Sequence, residues 1–258
     1  MKRIYTFFAI FIRFLIELKR YPFNTLSGLA TMYLIFLLLF AGARYAQGFG
    51  VNIFGEGLEA LVVGYLVWTF ALVAYSDLSW EIMREAQQGT LEQLYMCPFG
   101  FRFVSLAWVV SSFLWSFVYV GALLGLMMLT TGKFLHLPLG TLLPLLFLTL
   151  APIYGVGFVM AGLALVFKRI QAFFQILQFA FIPLLFLSGD SFWAKALPLS
   201  LGANLIRTVM VEGKTLAELP ALDLLILFGT ACFYFGLGLV IFKICEDLAK
   251  DRGLLAHY

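Results

Sequence analysis

The sequence predicts an all-helical integral membrane protein, a single domain with six transmembrane helices. Three observations carry that prediction. Six stretches hold almost no charge: Asn24–Ala43, Ala60–Ser76, Phe103–Gly132, Thr141–Phe167, Ile170–Gly189 and Leu224–Phe242. A helix needs about 20 apolar residues to cross the hydrocarbon core of a bilayer. Backbone amides find no water there, so helices are the plausible spanning form. Composition agrees, with 63% apolar and 12% charged residues and a mean hydropathy of +0.99. A soluble domain carries roughly 25% charged residues. The third observation is where the basic residues sit. With the N-terminus inside, the inner segments hold 12 of the 17 Lys and Arg residues, including the tight Lys168–Arg169 pair. The outer segments hold 5, namely Arg44, Lys133, Lys195, Arg207 and Lys214. Basic residues favour the cytoplasmic side, so both termini are expected in the cytoplasm. The default site is then a prokaryotic inner membrane.

The first 21 residues do not read as a cleavable signal. Arg13, Glu17, Lys19 and Arg20 interrupt what would be its apolar core. Arg3, Thr6, Arg13, Glu17 and Arg20 recur at steps that fit one helical face, while Tyr5, Phe7, Phe8, Phe11, Ile12, Leu15 and Ile16 fill the rest. This predicts an amphipathic helix in the headgroup region, with its cations reaching toward anionic lipid. Pro22 and Asn24 then turn the chain into span one.

Spans three and four are long enough to tilt. Pro144 and Pro152 in span four and Pro183 in span five each remove a backbone donor. Three small-residue pairs have close-packing spacing: Gly121 with Gly125, Ala151 with Gly155, and Gly157 with Ala161. They read as packing within the chain or as a seam between copies. The segment 190–223 is too long for a plain turn. Its Phe192, Trp193, Leu197, Leu201, Leu205, Ile206, Val209 and Met210 need cover, which predicts short helices in the outer leaflet.

Cys97, Cys232 and Cys245 show no C-x-x-C spacing, and His136 lies far from His257, so no metal site is read. There is no G-x-x-x-x-G-K-[ST] phosphate loop. Hence the chain is not expected to bind or hydrolyse ATP, and it carries no cofactor of its own. The six stretches also lack Asp, Glu, Lys and Arg. A charge at a helix centre costs roughly 2.5–3.5 kcal/mol and usually marks an ion or proton relay. Its absence argues against an ion-coupled carrier.

The connection between spans two and three, residues 77–102, is the most informative. Gly89 permits a sharp bend. Thr90 and Gln93 have the Thr-x-x-Gln spacing of a capping box. Leu91, Leu94 and Tyr95 fall on one helical face, and Pro98 and Gly100 end the element. A helix this short is marginal alone in water, so it is expected to dock against something.

At Glu85, Gly89, Thr90, Leu91, Glu92, Leu94 and Pro98 the chain resembles the permease subunits of ABC-2 type exporters. In that family Glu, a few residues, Gly-Thr-Leu-Glu, an apolar pair and Pro join spans two and three. The leading helix, the six spans and the apolar outer helices fit as well. Ala86-Gln87-Gln88 departs from the family, where many relatives carry more charge. The resemblance implies that residues 85–98 form a coupling segment, including Gln93, seated in a separate ATP-binding subunit. It implies two such subunits with ATP and Mg bound on them, a second permease copy or paralogue, and outward movement of an amphipathic cargo such as a drug or lipid. Glu85 and Glu92 are then expected to meet basic residues of that partner. Membrane lipid is the remaining partner, and nucleic acid is not one.

Gln171, Gln175 and Gln178 lie on one face of span five. They read either as hydrogen-bonding groups between helices or as one wall of a substrate path. Tyr65, Thr69, Tyr75, Ser111, Ser112, Ser116 and Tyr119 are candidates to complete that wall. The rival readings are a secondary carrier, a scaffold or an intramembrane enzyme. The last lacks a histidine or acid within a span to activate a serine.

Overall fold

A computed structural model describes residues 2–48, 57–132, 135–167, 170–186 and 195–252 of the chain. Among them there are helices and connections and no strand. Helix α1 runs Lys2–Arg20 and α2 runs Pro22–Gly48, with Pro22 at the first helical position, where a missing N–H costs nothing. Next come α3 (Leu58–Gln87), α4 (Leu91–Tyr95), α5 (Phe101–Thr131), α6 (Leu139–Phe167) and α7 (Gln171–Phe186). Helix α8 (Ser200–Glu212), a 3-10 turn at Leu216–Glu218 and α9 (Ala221–Asp251) complete the described order. Five of these, α2, α3, α5, α6 and α9, are long and apolar enough to cross a membrane, and α7 is a shorter apolar helix. A multi-pass membrane protein follows from them.

Helices α3 and α6 form the centre, and α9 lies along α6. Glycine sets how close these helices come. A Cβ on Gly155 would stand 2.2 Å from the carbonyl oxygen of Tyr234, and one on Gly238 would stand 2.2 Å from that of Gly155. On the other side of α6, a Cβ on Gly157 would meet the carbonyl oxygen of Ala74 at 2.9 Å. Helix α6 thus touches α9 and α3 backbone to backbone, the close approach that small residues permit. Pro144 and Pro152 are accommodated inside it. Gly121 and Gly125 have the same spacing, yet a Cβ on either meets open space. Among the described residues nothing packs against these two positions.

Helix α8 supplies the cover that the outer apolar residues need. Leu201, Leu205, Ile206, Val209 and Met210 are buried against α6 and α3. Phe192 and Trp193, as well as Lys168 and Arg169, lie outside the described residues.

The largest departure from the sequence reading is in α3. Span two was expected to end at Ser76, but one unbroken helix continues to Gln87. It is about 45 Å long at 1.5 Å per residue, against about 30 Å of hydrocarbon. Asp77, Glu81 and Glu85 therefore belong to the same rod as the apolar stretch. Helix α9 likewise runs past Phe242 to a buried Glu246. The long helices are not free of acidic groups, because hydropathy ends a span while backbone hydrogen bonding continues the helix.

Candidate functional site

Helix α3 ends in a Schellman turn. Gly89 takes the left-handed conformation at φ 72°, the Gly89 amide donates to the Ala86 carbonyl at 3.1 Å, and the Thr90 amide donates to the Glu85 carbonyl at 3.0 Å. This places Thr90 beside Glu85. The Thr90 hydroxyl donates to the Glu85 carboxylate, and the expected Thr90–Gln93 capping box does not form. Thr90 has helical dihedrals, φ −97° and ψ −6°, rather than the extended backbone of an N-cap, and its hydroxyl instead donates a charge-assisted bond to the carboxylate.

Glu85 is almost fully buried, and Arg13 of α1 pairs with it. Arg84 bridges Glu17 of α1 and Glu81. Desolvation works to lower the Arg13 pKa, but the hydrogen bond to Glu85 and the nearby carboxylates outweigh it and hold the pKa above the usual guanidinium value. So the polar face of α1 meets the end of α3. Arg13 does not reach toward lipid, and the charge partner of Glu85 lies within the chain. Tyr5, Phe8, Ile12, Leu15 and Ile16 point outward.

Helix α4 sits between the left-handed Gly89 and Gly100, the latter at φ 79°. Leu91 is buried, and Leu94 and Tyr95 pack against the core. Tyr95 stacks on Phe101 with ring centroids 4.3 Å apart, and the Lys250 ammonium lies 5.1 Å from the Tyr95 ring centroid. Burial pushes the Tyr95 phenol above its usual range, and the charge of Glu246 acts in the same direction. The buried Glu246 accepts from Arg102 at 2.7 Å and from Lys250 at 2.6 Å, which ties α5 to α9 beside α4. Glu92, Gln93, Met96 and Pro98 are exposed on the other side. Among the described residues, helix α4 thus has one face fixed to the bundle and one face exposed.

Of the proposed path residues, Tyr65 and Tyr119 lie near each other. Tyr65 donates to the Met32 carbonyl at 2.6 Å, and Thr69 donates to the Tyr65 carbonyl at 2.9 Å. The Tyr119 hydroxyl stands near Gly28 on α2. Gln171 and Gln175 are exposed and Gln178 is half-buried. The backbone carbonyl of Gln178 accepts from the Trp68 indole at 3.5 Å. Ser112 and Gln171 do share a cavity of about 700 Å³, together with Asp77, Glu81, Trp80, Trp108 and Tyr154. Sequence reading missed Asp77 and Tyr154. Asp77 was legible as a charge but was placed in a loop, and nothing in the sequence marks Tyr154 as facing it.

Among the described residues no three His, Cys, Asp or Glu side chains gather to hold a metal ion. Compared with known families and with curated proteins, the chain matches no family model and no curated relative.

Proposed function

We propose that this chain is the membrane subunit of an ABC-2 type exporter, driven by a separate ATP-binding subunit. The observation that carries the reading is the geometry of α4. It is a short helix anchored through Leu91 and Tyr95, with Glu92, Gln93 and Met96 free to meet a partner. Load on it passes through Thr90 to Glu85, and from there to Arg13 on α1. The ATPase pair closes, α4 moves, and α3 and α1 tilt together. Two such chains, or this chain and a paralogue, enclose the path above two ATPase subunits carrying ATP and Mg. In this reading α7 is the sixth span, α1 lies at the membrane surface, both termini are cytoplasmic, and the membrane is a prokaryotic inner membrane. The cargo is an amphipathic molecule moved outward.

The test is affinity purification of the full chain from native membranes. A co-purifying protein that carries a phosphate loop and hydrolyses ATP supports the reading. The variant Glu92→Arg with Met96→Asp should lose it while keeping its helicity. Equal recovery by the variant, or no such protein with the native chain, rejects the reading.

Asp77 favours a second reading, a cation-coupled carrier, because an acid on a long apolar helix is the usual mark of an ion relay. Transport by the purified chain alone in liposomes under a proton gradient would establish it.

A further inference from the structure

The 700 Å³ cavity is framed by the α1–α2 corner, α3, α5, α6 and the start of α7. Its size falls in the range of pockets that hold small organic molecules, and it is far larger than a bare ion needs. Two polar groups within it are left incompletely satisfied. Asp77 accepts one hydrogen bond, from the Ser112 hydroxyl, and has no cation within ion-pair distance among the described residues. Arg84, the basic residue in the cavity wall, is already engaged by Glu17 and Glu81. Arg13, just outside the wall, is paired with Glu85. The second group is the Tyr154 hydroxyl, on a side chain 8% exposed, which has no hydrogen-bond partner among the described residues. A half-buried carboxylate without a counter-charge and a buried orphan hydroxyl are each costly unless something completes them.

The wall also fixes the character of the occupant. Trp80, one face of which stacks on Phe174, and Trp108 line the wall, and Leu78, Met83 and Val109 are apolar. An ammonium near an indole gains cation–π energy, and an apolar body gains from burial. Among the described residues no three His, Cys, Asp or Glu side chains gather to ligate a metal ion, and the Glu17 and Glu81 carboxylates of the wall are already engaged by Arg84, so the six or more oxygens that a hard divalent cation takes are not assembled here. An anion would meet the charges of Asp77 and Glu81.

We propose that this cavity binds a lipophilic organic cation, a protonated amine on an aromatic or aliphatic body. Asp77 is the counter-charge, Tyr154 is the hydrogen-bond partner of the amine, and the tryptophans hold the body. Binding needs no ATPase, so it is assayed on the chain alone. Its outcome is therefore separate from that of the coupling reading.

The probe is radiolabelled propranolol, measured on the full chain in phosphatidylcholine nanodiscs with empty discs subtracted. The site predicts a saturable component and a thermal midpoint that rises with propranolol. Asp77→Asn should weaken binding at least tenfold and abolish the thermal shift. Tyr154→Phe, which removes only an unbonded hydroxyl, should fold normally and weaken binding about threefold. Asp77→Glu restores the charge and should retain binding. Naphthoxyacetate, with the same aromatic body and an anionic tail, should not compete. Adding phosphatidylethanolamine distinguishes two sources of the same chemistry: weaker propranolol binding assigns the site to a lipid headgroup amine, and unchanged binding assigns it to a free amine. The proposal is overturned if no saturable component exceeds that of empty discs, if Asp77→Asn and Tyr154→Phe bind like the native chain, or if the anion competes equally.

Discussion

Arg13 and Glu85, 72 positions apart in the chain, form an ion pair in which the carboxylate is buried and the guanidinium is half exposed. The same carboxylate accepts the Thr90 hydroxyl. One acid therefore joins α1, α3 and the entrance to α4. Arg13→Ala strands a buried charge and should cost about 2 kcal/mol, below the usual figure for a buried pair because solvent screens the exposed partner. The double variant Arg13→Ala/Glu85→Gln should recover part of that loss. Thermal midpoints in nanodiscs measure it, and strictly additive effects would show that the pair contributes no coupling.

The contact between Gly155 and Gly238 makes a sharper stability prediction. Any Cβ at either position collides with backbone, which cannot rotate away. Gly238→Ala should lower stability by about 1–3 kcal/mol through overpacking and separate α9 from α6. Gly121→Ala and Gly125→Ala should stay within about 0.5 kcal/mol, as exposed substitutions do. The four midpoints, compared in one lipid, decide it.

Helix α4 is too short to persist by itself, so its order rests on Tyr95 and Leu91. The Tyr95 hydroxyl has no hydrogen-bond partner among the described residues. Tyr95→Phe should therefore be neutral, because the stack on Phe101 stays. Tyr95→Ala removes the stack, and the amides of 91–96 should exchange at least tenfold faster. Hydrogen exchange by mass spectrometry reads both variants, and unchanged protection in Tyr95→Ala would mean that another contact holds α4.

The long apolar helices and the bend at Gly89 were legible in the sequence, since hydropathy and glycine act locally. What was not legible depended on partners distant in the chain. Thr90 and Gln93 have capping-box spacing, but the Schellman turn brings Glu85 to the threonine first. Gly121–Gly125 and Gly155 with Gly157 look alike in sequence, yet only the second set meets neighbouring backbone. The glutamines of α7 mark a face correctly without revealing that it is largely open in the single chain. Asp77 ended a hydropathy window but did not end a helix. The ion pairs of α1 with α3 were hidden because the sequence gives the charges of a face without saying what that face meets.

The proposed topology rests on the distribution of basic residues and is checked with single cysteines in a background lacking Cys97, Cys232 and Cys245. Gln93→Cys should react with a membrane-impermeant maleimide only from the cytoplasmic side. Lys214→Cys, in the turn after α8, should react only from the opposite side. Labelling of Gln93→Cys from outside would invert the orientation and remove α4 from the reach of any cytoplasmic motor.

The most direct measurement of the central claim is cross-linking from α4 itself. A cysteine at Gln93 carrying a short photoreactive group, in native membranes, should give one product with a phosphate-loop ATPase, and its yield should change when ATP is added. Absence of that product, together with transport by the purified chain without any ATPase, would contradict the account.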